Sequence, residues 1–135
     1  MQWLIDIITD WITAQGYLTT SFVDRGDPAD YDFIESDLTL DGNWHDMDLS
    51  GIVPDGAKAV SIRIDTITGT ATAYSAFRKK GNTNESNSAN ALHPIANNAN
   101  STDLLCPISD ARFIQYKFQS VPWFYIVISI KGWWL

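Results

Sequence analysis

At 135 residues the chain is one ordinary domain, and its net charge of −7 excludes a phosphate backbone as main partner, because binding one needs a basic face. A single cysteine, Cys106, excludes an internal disulfide and leaves a core, a metal or oligomerisation to supply stability. Aromatics reach 13%, with six Trp, against only 19% charged residues, a balance that suits burial of extra surface between copies of the chain.

Residues 3–13 read as an amphipathic helix. Trp3, Leu4, Ile7, Ile8, Trp11 and Ile12 recur at three-to-four spacing, and Gln2, Asp6, Thr9, Asp10 and Thr13 fall largely opposite. Gly16 is the expected stop. Three turns are not stable alone in water, so the apolar stripe must dock, on its own domain or on copies of itself. A membrane-surface role is disfavoured because the polar face is acidic. The N-terminus has no basic region, and Asp6 and Asp10 interrupt its apolar run, so it does not read as a secretory signal. No apolar stretch is long enough to span a bilayer.

Residues 17–32 read as an acidic loop or linker, with Gly26 and Pro28 as breakers. From residue 33 strand signals dominate. Residues 33–40 run into Asp41-Gly42, a hairpin dipeptide, and residues 44–49 follow. After the turn Pro54-Asp55-Gly56, Val60, Ile62 and Ile64 alternate with Ser61, Arg63 and Asp65, which gives one buried face. Gly69 ends that run, and residues 71–78 form a further strand. Residues 82–103 are polar, with seven Asn between Asn82 and Asn100 and room for one short strand near 92–96. Residues 113–118 and 123–131 close the chain as strands, with Ile126, Ile128 and Ile130 on one face. The fold class expected is mainly β, an antiparallel β-sandwich or jelly roll over residues 33–135, preceded by a short α-helix in residues 1–16. A unit of this length starting at Met is expected to be a complete chain.

Charge is unevenly spread. Residues 1–48 hold eleven acids and one base, and residues 49–135 hold eight bases and five acids. The two parts would attract, within a chain or between subunits, unless the acids simply lie in solvated loops.

Few residue sets suggest chemistry. The run Asp24, Asp27, Asp30, Asp32, Glu35 and Asp37 has oxygen ligands for calcium, but its spacing does not match an EF-hand and a solvated linker is the favoured reading; no metal or cofactor is expected. Arg25-Gly26-Asp27 is the integrin-ligand tripeptide, and here Gly and Pro simply make a turn. His45 and His93 are isolated from Cys or Glu, so no zinc pattern exists, and no Gly-x-Ser-x-Gly elbow is present. No catalytic residue is named, and a non-enzymatic role is expected. Cys106, after Leu104-Leu105, reads as a buried inert thiol. Arg78, Lys79 and Lys80 mark a strand end, solvated or facing a neighbour's acids. A candidate ligand site combines the amides of Asn82 and Asn84 with an aromatic platform at Trp44 or Trp123, for a cell-surface glycan. The terminal Trp133-Trp134 pair is expected to be buried in the core base or a subunit contact.

Three stretches resemble bacteriophage virion modules. The first is Trp44 followed by Asp48-Leu49-Ser50-Gly51-Ile52-Val53-Pro54-Asp55-Gly56-Ala57-Lys58-Ala59-Val60. The second runs from Phe77 to Asn82 and the third is Lys131-Gly132-Trp133-Trp134. Together they span about two-thirds of the chain. The resemblance is to β-sandwich pieces of tail-fibre, head-fibre or decoration proteins, which are often trimeric. It implies a structural, self-assembling role in a virion beside other virion components, with Trp3, Leu4, Ile7, Ile8, Trp11 and Ile12 as the oligomerisation stripe. It supplies no active site.

Overall fold

The computed structural model describes residues 1–14 and 21–135. Among these, one helix, α1 (Gln2–Ala14), precedes nine strands. They are β1 (Phe22–Asp24), β2 (Phe33–Ile34), β3 (His45–Asp48), β4 (Ala59–Thr68), β5 (Ala73–Lys79), β6 (Ala89–His93), β7 (Asn100–Pro107), β8 (Phe113–Phe118) and β9 (Trp123–Trp134). Every pairing is antiparallel. Sheet A runs β1-β9-β4-β7, with β2 also paired to β9, and sheet B runs β3-β8-β5-β6. From β2 to β9 the chain changes sheet at every step except the β5–β6 hairpin. That wrapped path is a jelly roll, which decides between the two expected forms of mainly-β fold.

The alternating residues explain the layers. Val60, Ile62 and Ile64 of β4 are fully buried, and β9 supplies Ile126, Ile128 and Ile130 beside them. The ladder sets Ile62 opposite Ile130 and Ile64 opposite Ile128, so the two apolar faces form one surface. Sheet B answers with Phe77 from β5 and Ile114, Tyr116 and Phe118 from β8. Rings mesh edge to face: Phe77 meets Phe118 at 6.1 Å, Phe118 meets Trp123 at 5.2 Å, and Trp123 meets His93 at 5.1 Å. Leu49 and Val53 plug one end of the sandwich, and Arg112 Nη1 donates to Ser50 O and Val53 O at 3.0 Å to hold that turn. Much of the 48–60 motif therefore encodes a core plug and its turn.

Several expectations are corrected. Residues 33–40 are not one strand: β2 stops at Ile34, and Glu35–Asp37 form a 3-10 turn in which Asp37 Oδ2 accepts Ile34 N at 2.9 Å. Acidic and Ser side chains offer the backbone a local alternative to the ladder. Asp41-Gly42 is not a hairpin, because β2 and β3 lie in different sheets; Gly42, at φ 80°, makes a crossing and donates its N–H to Phe118 O. The short strand near 92–96 lies earlier, as β6, and stops before Pro94. Strand β7 was hidden within polar residues 82–103. It is an edge strand whose outer side chains, Ser101 and Asp103, mask the inward Thr102, Leu104 and Cys106. The segment read as a linker contributes β1, which pairs Val23 with Trp133. The expected stop at Gly16 lies outside the described residues.

The residues around Arg25 and Asp32 form a clip rather than a solvated acidic run. Arg25 Nη2 donates to Asp32 Oδ1 at 2.7 Å, Nη1 donates to Asp32 Oδ2, and Nη1 also reaches Ile130 O at 3.1 Å. Ile130 N donates to Asp32 Oδ2 at 2.8 Å. The pair replaces ladder bonds on β9 where the chain bulges between β1 and β2. Arg25 is thereby withdrawn from the Arg-Gly-Asp tripeptide.

Gly132 shows how closely the terminal motif is built. A Cβ there would lie 2.4 Å from both Val23 O and Phe22 Cζ. Trp134 packs on the Phe22 ring at 4.8 Å, and Trp133 packs against the core. Gly132→Ala is expected to push β1 off β9 and cost about 1–3 kcal/mol, read as a lower urea midpoint. An unchanged midpoint would mean β1 adds little to stability.

Candidate interaction surfaces

Helix α1 is the most exposed apolar element. Trp3 is 67% and Trp11 60% exposed, and Leu4, Ile7 and Ile8 are exposed as well, while Ile12 is half-buried. Apolar residues fill roughly 200° of its circumference, and Asp6 and Asp10 stand on the remainder. Gln2 Nε2 donates to Asp6 Oδ1 at 2.9 Å. The stripe is not buried on the sandwich. A 13-residue helix cannot hold itself in water without such burial. No helix among the described residues is long and apolar enough to cross a membrane.

The candidate ligand residues separate. Trp123 is 6% exposed in the core, with Nε1 donating to Gln119 O at 2.9 Å, so it offers no platform. Sequence alone missed this because a Trp at a strand start reads alike inside or out. Trp44 is half-buried before β3, with the Arg78 guanidinium 4.1 Å and the Lys117 ammonium 4.8 Å from its ring centre. Lys117 is nearly buried and paired with Glu85, whose carboxyl is held below the usual range by that hydrogen bond. Glu85 lies in the loop that carries Asn82 and Asn84, which line a polar hollow of about 340 Å³. Trp44 and the Asn loop are thus brought to one side, but the ring is engaged by cations. Lys80 donates to Asp46 at 2.6 Å, so part of the attraction between the acidic and basic halves acts within one chain.

The outer face of sheet A carries residues that the sequence reading passed over. Along β9, Trp123 points in, Phe124 points out, and Tyr125 also points out, 40% exposed. The register shift between Ile67 and Thr68 marks the bulge that causes this. The neighbouring Tyr31, itself 47% exposed, comes first in holding the Tyr125 hydroxyl above its ordinary range. Arg63 Nε donates to Asp65 Oδ1 at 3.2 Å, and Ser101 Oγ donates to the same oxygen. The signal was the run Trp-Phe-Tyr-Ile, because three consecutive large aromatics on a strand cannot all face the core.

Comparison of the chain with models of known families and with curated proteins finds no match.

His93 sits between the sheets, 1% exposed. Asn100 Nδ2 donates to its Nδ1 at 3.1 Å, Thr66 Oγ1 lies 2.8 Å from the same atom, and Nε2–H faces Ser75 Oγ at 3.2 Å. This Ser–His pair has no carboxylate partner and is sealed from solvent, so it reads as a satisfied core network. Cys106 is fully buried, and burial pushes its thiol up to about 12, away from a nucleophilic thiolate. His45 Nε2 donates to Asp41 Oδ1 at 2.7 Å, and that bond first, with the Asn43 amide, draws the Asp41 carboxyl down to about 2. Among the described residues, no three His, Cys, Asp or Glu side chains are placed to hold a metal ion.

Burial lowers the pKa of His93 from its ordinary 6.5. The unfolded chain therefore takes the proton first as pH falls, so the His93 contribution is complete above about 6.5 and is lost below it. The urea midpoint is expected to fall between about pH 7 and pH 5, well above the carboxylate range, and His93→Gln should flatten that fall. An equal fall in the variant would assign the effect to other groups.

Proposed function

We propose that the chain is a non-enzymatic structural module of a virus-type particle that assembles with copies of itself through α1, three copies being favoured. The observation that carries this reading is the exposed apolar helix beside a complete jelly roll. A two-stranded seam needs only a narrow stripe, whereas a stripe of roughly 200° lets each helix contact two neighbours. Copies of the same helix are the fitting occupant, because a bundle would leave Asp6 and Asp10 on its outer surface in water. Anionic lipid would meet those carboxylates. The virion setting rests on the resemblance of residues 44–60, 77–82 and 131–134 to phage modules, and on a fold that serves capsid and lectin domains.

Light scattering on a size column tests the reading. A mass near three times 15.1 kDa at micromolar concentration supports it. A mass of 15.1 kDa defeats the assembly part.

A further inference from the structure

The geometry points to a binding site for a neutral oligosaccharide on the outer face of sheet A, centred on Tyr125. Two hollows meet at this residue. One, of about 300 Å³, is lined by Arg63, Asp65, Ser101 and Tyr125. The other, of about 650 Å³, includes Glu35, Ser36, Leu38 and Tyr125. A third, of about 300 Å³, opens beside Tyr31. The smaller volumes suit single sugar rings, and their adjacency suits a short chain of them.

The chemistry of the walls selects the ligand. A sugar ring offers an apolar C–H face and a rim of hydroxyls. Tyr125 and Tyr31 supply exposed aromatic rings, 40% and 47% exposed. Asp65 and Arg63 supply planar acceptor and donor groups that can each engage neighbouring hydroxyls. Asp65 already accepts from Ser101 and Arg63, yet a carboxylate has about four acceptor positions and keeps room for a sugar hydroxyl.

Charge narrows the class further. Glu35 and Asp65 line the two main hollows and Asp30 the third, against Arg63 alone as a base. A carboxylated or sulfated sugar would meet net repulsion, and a neutral one would not.

The site is also preorganised. Asp65 stands on β4, opposite Ser101 on the edge strand β7 and opposite Val127 on β9, so ladders on both sides hold it in place. Tyr125 lies in continuous register with the inward Ile126 and so stands on the outer face opposite Ile67, while the adjacent bulge sends Trp123 inward and anchors the start of β9 in the core. This site is separate from α1 and does not depend on the assembly reading.

The test titrates the full chain with maltohexaose, cellohexaose, xylohexaose, mannohexaose and chitohexaose, alongside an α2,3-sialyllactose control, by calorimetry and NMR. At least one neutral hexasaccharide is expected to bind saturably below ~5 mM, with sialyllactose weaker. Tyr125→Ala and Asp65→Asn should each weaken binding about tenfold or more while the thermal melt shows a folded protein. Trp44→Ala should leave binding unchanged. Absence of binding by every neutral hexasaccharide overturns the proposal. So does binding that survives Tyr125→Ala, or that is lost with Trp44→Ala. If Tyr125→Ala fails to fold, Asp65→Asn with Arg63→Gln decides the matter by the same criterion.

Discussion

On the proposed assembly of three copies, replacing Trp3, Ile7 and Trp11 together by Gln is expected to leave a monomer of 15.1 kDa. Each of these side chains is exposed in the single chain, so its burial in a bundle is a gain that assembly alone provides. Burying a large apolar side chain contributes roughly 1.5–3 kcal/mol. Removing three per chain takes away a free energy comparable to a micromolar association, about 8 kcal/mol. The jelly roll should keep its own melting transition, because α1 does not bury its stripe on either sheet. A variant that keeps the wild-type mass would place the assembly contact elsewhere, with the exposed Leu105, Phe124 and Leu135 the next surfaces to change.

The second large effect concerns the clip. Asp32→Ala is expected to destabilise the fold by about 3–5 kcal/mol, read from urea unfolding. The Asp32 side chain is 7% exposed and accepts from both Arg25 and the Ile130 amide. Its loss would strand a guanidinium that is 19% exposed, together with a backbone donor on the central strand of sheet A. Whole domains are stable by only about 5–15 kcal/mol, so the variant would approach unfolding. Asp27→Ala, in the exposed part of the same loop, should change stability by less than about 0.5 kcal/mol. A double change to Met at Arg25 and Leu at Asp32 should recover much of the loss, since it removes both charges together. A cost below about 1 kcal/mol for Asp32→Ala would mean the pair is solvated in solution.

Particular residues show how much the sequence told. Val60, Ile62 and Ile64, with Ile126, Ile128 and Ile130, announced two core strands by strict alternation, and the fold pairs those two runs directly. The helix was readable from its three-to-four spacing. What stayed hidden depended on partners far along the chain. Arg25 and Asp32 looked like part of a solvated acidic run because their shared partner, Ile130, is about a hundred residues away. Strand β7 was concealed because an edge strand carries polar residues on its outer face. The candidate sites followed the same rule. The helical stripe was legible because it is local, whereas the Tyr125 surface depends on three strands meeting. Trp123 was misassigned because residue type alone does not say which face of a sheet a ring occupies.

The place of β9 has a consequence for how the protein is made. It is the last of the described strands and also lies in the interior of sheet A, between β1 and β4. During synthesis β1, β2 and β4 leave the ribosome without the strand that joins them. Sheet A can close only when Trp134 has emerged, so the nascent chain waits with open strand edges. A message cut short before Trp123 would release a product with sheet B nearly whole and sheet A unjoined, exposed to aggregation and to proteolysis.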